Sequence, residues 1–419
     1  MLSNKFKCRI SASELIEVIN LGDLYVSDFI RDGESPRAGR QEMKLLLSPE
    51  SGLLQMEKTV PPEFMYGKYW YRSGINASMT KELKDIADST MDAVPRNGGD
   101  VFLDIACNDG TLLKFVPGGE FFKVGIDPCD DSYAKESRQH AHCIRQEYFS
   151  AESYWRAKQR KAKIVTAIAM FYDLDDPKKF LEDVYEVMDD EGLFVLQLSY
   201  TPLMLKQLAF DNICHEHICF YSLSSMKYIL DKCKFKIVDC IFNDVNGGSF
   251  RIYIRKDIAK PENFKTAPYR DVADYRIASI LEYEKSLKLD DPSVYLEFFE
   301  KIKDLKKQTV DFIRAEKEKG KTIWGYGAST KGNTLLQWYG LDDTLIDGIA
   351  ERNPSKYGHR TIGTNIPIYS EAEMRKVNPD YLLILPWHFI HEFSQRESDY
   401  LLGGGKFIVP CPKFEVIGK

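Results

Sequence analysis

No two of the nine cysteines stand as a Cys-x-x-Cys pair, so the spacing that would support a structural zinc site is missing. Their odd number and scatter fit reduced thiols better than a disulfide framework. No run approaches the roughly 20 apolar residues that a bilayer span needs. The start, Met1-Leu2-Ser3-Asn4-Lys5, also lacks the apolar core of a signal peptide. A cytoplasmic protein without a membrane partner is expected. Excess positive charge is lacking too: 57 Lys and Arg stand against 63 Asp and Glu, a net charge of -6. That balance speaks against a nucleic-acid partner held through its backbone. What is present is an ordinary globular composition, 44% hydrophobic and 29% charged, in 419 residues. A chain of that length usually divides into more than one core.

Residues 1–77 are turn-rich, punctuated by Gly33-Glu34-Ser35-Pro36 and Pro61-Pro62, and end in the aromatic cluster Tyr66, Tyr69, Trp70 and Tyr71. They predict a small cap. From Ser78 to Val94 the spacing of Met79, Leu83, Ile86, Ala87 and Met91 predicts an amphipathic helix, broken by Asn97-Gly98-Gly99. Apolar strand-like runs then alternate with helical patterns: Val101 to Ile105, Phe122 to Ile126, Ile164 to Met170 and Leu193 to Leu198. This order predicts a doubly wound parallel sheet over residues 78–255. An antiparallel hairpin, Phe235 to Phe242 and Phe250 to Ile254 around Asn246-Gly247-Gly248, should close it. A helical connector, 256–320, leads to a second, Rossmann-like α/β domain, 321–419, with strands at Leu345 to Ala350, Tyr381 to Leu385 and Lys406 to Val409.

The first strand-to-helix turn reads Asp104-Ile105-Ala106-Cys107-Asn108-Asp109-Gly110, with Leu112 in the helix beyond. Small residues after a strand let a ligand approach the backbone, and the helix start offers unpaired amides. The turn is not Gly-x-Gly-x-x-Gly, and its leading carboxylate has no use for a pyrophosphate. Asp104 instead suits the ammonium of a methionyl group. Asp127, followed by Pro128 at the end of the next strand, is placed to accept from both ribose hydroxyls. The pair predicts S-adenosylmethionine as cofactor on a class I methyltransferase fold. Met170 and Phe171, at a later strand end, are candidates for the adenine side of the pocket.

The densest reactive cluster is Cys214-His215-Glu216-His217, in a chain with seven histidines. Imidazole and carboxylate are the natural general bases near neutral pH. On an extended segment His215 and His217 would face one side and Glu216 the other. Two histidines two apart lack the third ligand of catalytic zinc, so no metal is assigned. Asn246, Ser249 and Arg251 on the hairpin are candidate substrate ligands, Arg251 for bidentate phosphate contact. In the last domain Gly325-Tyr326-Gly327-Ala328-Ser329-Thr330-Lys331-Gly332 opens a helix where Lys331 could take a phosphate or a sugar oxygen. Such glycines serve close packing as often as they serve a ligand.

Together these motifs resemble the sugar C-methyltransferase family that acts on nucleotide-linked keto-deoxysugars. The likeness also includes Tyr69-Trp70-Tyr71-Arg72-Ser73-Gly74, Phe171 to Pro177, Asp211 to His217, Gly247 to Arg251 and Leu385-Pro386-Trp387-His388-Phe389. The resemblance implies cofactor contacts from Tyr71 and Ser73, and catalysis by Glu216 and His217, with His217 the base and Glu216 its orienter or alternate. It also implies a nucleotide-linked sugar as substrate and a monomer or homodimer. Members commonly carry an N-terminal zinc module with two Cys-x-x-Cys pairs. Cys8, Ser11, Ser48 and Ser51 stand at those positions here, so no zinc is expected. An aromatic residue often found before the Glu-His pair is Cys214. Three readings compete: methylation at oxygen or nitrogen, a nicotinamide-dependent dehydrogenase, and a non-catalytic nucleotide-sugar binding protein.

Overall fold

The computed structural model describes residues 3–4, 6–66, 70–260, 264 and 270–418. Tyr69 of the aromatic motif lies outside them, as do the side chains of Tyr66 and Asn246.

The central sheet has seven strands. From one edge they run Phe235–Asn243, Ser249–Lys256, Met188–Ser199, Ala162–Ile168, Asp100–Ile105, Phe121–Ile126 and Cys143–Arg145. The five strands from Met188–Ser199 onward are parallel, and the first two form the antiparallel edge. That order and the helices between the strands make the doubly wound class I methyltransferase fold. Every residue of Asp100–Ile105 is buried, as befits a strand covered on both faces. The helix Ala77–Ala93 starts where the Asn76 side chain accepts the N–H groups of Ser78 and Met79. It ends at Val94, before Pro95, which disfavours the helical conformation in its predecessor. Its buried face is Met79, Leu83, Ile86, Ala87 and Met91, each large side chain contributing roughly 1.5–3 kcal/mol.

A second sheet of six strands, ordered Ile368–Ser370, Gly348–Glu351, Ile323–Tyr326, Tyr381–Ile384, Lys406–Val409 and Glu415–Ile417, builds the C-terminal α/β domain. Between the domains lie the helices Arg270–Leu287 and Pro292–Glu318. Glu284 of the first is buried, and its carboxylate accepts from the Leu223 and Ser224 amides and from the Tyr200 hydroxyl. It thus caps the helix Leu223–Lys232 and ties connector to sheet.

The cap is a four-stranded antiparallel sheet, Cys219–Phe220, Leu53–Met56, Arg40–Ser48 and Ile16–Tyr25. Its edge strand, Cys219–Phe220, begins two residues after His217, and the Met56 amide donates to the Ile218 carbonyl between them, so the cap holds the Glu-His loop by main-chain pairing. The cap's apolar face also shares one core with the connector and the C-terminal domain, where Leu45, Leu47 and Met56 join Phe298 and Ile302 of the helix Pro292–Glu318 and Leu335 beyond it. Cys8, Ser11, Ser48 and Ser51 converge. The Cys8 thiol is 3.3 Å from the Ser51 hydroxyl, which donates to Ser48 at 3.0 Å. Ser48 in turn lies 3.3 Å from Ser11 and 2.8 Å from Ser13. Alcohols are poor zinc ligands beside thiolates; here they bond to one another. Among the described residues, no group of three or more His, Cys, Asp or Glu could hold a metal ion. No helix of the described residues is long and apolar enough to cross a membrane.

Candidate active site

In an open α/β sheet the ligand crevice lies beyond the carboxyl ends of the strands where the winding reverses. In the central sheet that point falls between Asp100–Ile105 and Ala162–Ile168. In the C-terminal sheet it falls between Ile323–Tyr326 and Tyr381–Ile384. The two crevices face each other across one cavity of about 460 Å³.

On the first side Asp104 and Asp127 both line the cavity. The Thr166 hydroxyl donates to Asp104 at 2.6 Å, and burial pushes the carboxyl up to about 7. Asp127 accepts the amides of Asn108 and Cys129, each at 2.8 Å, and burial raises it as well. No Lys, Arg or His side chain is among the groups that shift either carboxyl. Two such groups in one pocket call for a cationic ligand. S-adenosylmethionine, with its ammonium and sulfonium, fits this lining, and a pyrophosphate does not.

The loop between them uses left-handed backbone at Ala106 (φ 58°) and Asn108 (φ 51°), which turns Ala106, Asn108 and Leu112 toward the cavity. Asn108 also holds the segment before the long helix. Its side chain accepts the Ser73 amide and donates to the Tyr71 carbonyl, each at 3.1 Å. Tyr71 and Ser73 line the pocket, as do Pro128 and Met170. Gly110 does not: with φ 77°, a Cβ there would lie 2.7 Å from the Ser137 Cα, so this glycine serves helix packing. Phe171 also turns away, fully buried against Phe180 and Tyr221. The strand stops at Ile168 because Ala169 turns left-handed (φ 55°), which exposes Met170 to the cavity but not its neighbour.

The Cys214–His217 segment is a turn, closed by the His217 amide on the Cys214 carbonyl at 3.0 Å. Strand alternation therefore does not apply. Glu216 and His217 both line the cavity, whereas His215 packs against the cap, 3.4 Å from the Gln41 carbonyl, where burial lowers it to about 4. Glu216 Oε2 is buried without a hydrogen-bond partner among the described residues, and burial raises the carboxyl to about 7. The His217 Nδ1–H donates to the Asn212 carbonyl at 2.8 Å, an assignment that leaves Nε2 as the acceptor. Burial, then the nearby Lys331, lowers its pKa to about 3.

Of the expected substrate ligands, Lys331 lines the cavity and donates to Asn212 Oδ1. Arg251 does not reach it. Its guanidinium is buried against the long helix, on Glu82 at 2.6 Å and Asp85 at 2.9 Å, with Gln197 at 2.9 Å. Ser249 is buried and donates to the Val245 carbonyl. Two residues that sequence reasoning did not assign also line the cavity. Tyr172 packs on His217 with ring centroids 4.3 Å apart, and His388 is lowered to about 3, chiefly by burial. His388, one of seven histidines and set beside a tryptophan, was the detectable signal.

In the second crevice the glycine motif is packed shut. Gly327 has φ 85°, and a Cβ there would lie 2.7 Å from the Pro386 Cγ. The space that a dinucleotide pyrophosphate would use is filled by a proline ring.

Residues 76–239 match the family described as a methyltransferase domain, and residues 244–412 match the C-methyltransferase C-terminal domain. The chain is similar to C-methyltransferase NovU of Streptomyces niveus, 26% identical over 416 residues, 98% of this chain and 96% of that protein. Among solved structures, the mitomycin 7-O-methyltransferase MmcR is 14% identical over 43% of this chain and 55% of its own, with a TM-score of 0.33. An S-adenosylmethionine-dependent methyltransferase from Clostridium acetobutylicum ATCC 824 is 14% identical over 42% of this chain and 92% of its own, also at 0.33.

Proposed function

We propose that this chain, which matches a methyltransferase domain and the C-methyltransferase C-terminal domain and is similar along its length to a C-methyltransferase, is an S-adenosylmethionine-dependent C-methyltransferase whose acceptor is a nucleotide-linked keto-deoxysugar, methylated at the carbon beside the ketone through an enolate. The observation that carries this reading is the buried Glu216 carboxyl, raised to about 7 with its Oε2 lacking a hydrogen-bond partner among the described residues, beside His217 in the cavity that Asp104 and Asp127 also line.

Asp104 would hold the methionyl ammonium and Asp127 the ribose hydroxyls. The cofactor supplies an electrophilic methyl group on a sulfonium. A C–H beside a ketone is acidic enough for a positioned base, and a base works best with a pKa near the operating pH. Glu216 meets that condition. His217, held neutral with Nε2 directed away from Asn212, serves better as its partner than as the base. Glu216 thus takes the proton, reversing the order favoured by sequence. The cap's pairing with Cys219–Phe220 holds the pair in register.

Deuterium exchange tests the proposal. In D2O with S-adenosylhomocysteine, the keto-adjacent hydrogen of the acceptor should wash out, and with the methyl donor the new methyl should appear on that carbon by NMR. Turnover without washout, or a methyl on oxygen or nitrogen, would overturn it. The dehydrogenase reading finds no support at Gly327, where Pro386 fills the crevice.

A further inference from the structure

We infer that Lys331 is the group that carries the negative charge of the enolate oxygen, so that the C-terminal domain contributes a catalytic residue and not only a wall. This rests on the acceptor reading above.

Removing a proton beside a ketone puts a full charge on its oxygen, and that charge needs a donor fixed in advance. Among the described residues that line the cavity, Lys331 is the one Lys or Arg. The two lining histidines, His217 and His388, are both held neutral. Lys331 stands in the first turn of the helix Thr330–Tyr339, at the reversal point of the C-terminal sheet. It is aimed across the domain boundary, with its ammonium donating to the Asn212 side chain. The Asn212 carbonyl receives the His217 Nδ1–H at 2.8 Å. One residue therefore anchors both the cation and the partner of the base, which fixes their separation. Beside it, Asp211 accepts from the Trp387 indole at 3.2 Å, a second bond tying the base loop to the same domain.

The lining's charge distinguishes this role from phosphate binding. Asp104, Asp127, Asp173, Asp175 and Glu216 line the cavity beside this single cation. A single cation among five carboxyl groups is no cradle for a diphosphate, and Pro386 fills the space beside Gly327, so the diphosphate of the proposed acceptor would lie outside this part of the cavity while its sugar ketone faces Lys331. A charge that exists only after proton removal is what one lysine can stabilise. In the proposed step, the Glu216 carboxylate takes the proton from carbon, the C–H pair becomes the C=C bond, and the carbonyl π pair moves to oxygen beside the Lys331 ammonium.

The test uses the full chain, thymidine and uridine diphosphate 4-keto-6-deoxyglucose as probes, and the variants Lys331→Met and Lys331→Arg. For Lys331→Met, washout and methyl transfer should fall together by about 10²–10³-fold. The KM for the probe should move less than about threefold, and S-adenosylhomocysteine affinity should stay unchanged. Lys331→Arg, which keeps the charge, should recover part of the rate. A rise in KM at unchanged kcat would make Lys331 a binding residue and overturn the inference while leaving the function intact. Wild-type enzyme that neither exchanges nor methylates either probe would overturn the acceptor class and this inference with it. Should Lys331→Met lose S-adenosylhomocysteine binding through misfolding, Lys331→Gln decides by the same division between kcat and KM.

Discussion

The two facing crevices have the same topology and opposite uses. Each lies where a parallel sheet reverses its winding, and each is edged by a tight turn leading into a helix. Beside the central sheet, left-handed Ala106 and Asn108 leave the crevice open, with two buried carboxylates on its wall. Beside the C-terminal sheet, Pro386 fills the space at Gly327, while Ser329, Thr330 and Lys331 still line the cavity. A small residue after a strand is therefore half a statement. What stands opposite decides whether the missing side chain makes room for a ligand or for the protein itself.

The sharpest way to break this asymmetry is to remove the base on the open side. Glu216→Gln should lower kcat by about 10²–10⁴-fold with S-adenosylhomocysteine affinity unchanged, read by methyl-transfer kinetics and calorimetry. In the wild type, kcat/KM should rise with pH through about 7, where Glu216 loses its proton, and the variant should lose that limb. Next in size, Asp127→Ala should weaken S-adenosylhomocysteine by about 10–100-fold, the loss of charged hydrogen bonds of roughly 1.5–3 kcal/mol. Thr330→Ala, across the cavity, should stay within about twofold. Gly327→Ala should destabilise the protein by about 1–3 kcal/mol through overpacking against Pro386, seen in thermal melts with cofactor affinity unchanged. Weakened affinity would mean that the second crevice also takes the cofactor.

A further effect is on stability against pH. Glu216 has a folded pKa of about 7, above its ordinary 4.5, so the fold prefers the neutral carboxyl. The cost of its charge is absent below the ordinary value and is fully felt above the folded one. Glu216→Gln should therefore be more stable than wild type at pH 8 by about 1–3 kcal/mol. The difference should vanish as pH falls from 7 towards 4.5, checked by denaturant melts at three pH values.

Local signals carried much of the fold. The periodic helix Ala77–Ala93 and the strands Asp100–Ile105, Phe121–Ile126 and Lys406–Val409 fall within two residues of their sequence-based bounds. Asp104 and Asp127 likewise stand at the strand ends where the motif put them, lining the cavity. Short edge strands escaped: Cys143–Arg145, Ile368–Ser370 and Glu415–Ile417 have three residues each, too few to show a period. Contacts set by distant chain were also illegible. Arg251 looked like an exposed cation on a hairpin, and only the packing of the long helix shows Glu82 and Asp85 taking it. His215 looked equivalent to His217 until the turn at Cys214 sent it to the cap. That Cys219–Phe220 belongs to a sheet begun two hundred residues earlier is a fact of pairing that no local pattern holds.

That same cap is closed by a thiol and a ring of hydroxyls at Cys8, Ser11, Ser48 and Ser51. This corner of the sheet that grips the Glu-His loop is thus held by hydrogen bonds among its own side chains. Exchanging oxygen for sulfur at Ser11, Ser48 and Ser51 would turn the same clamp into a set of four thiols.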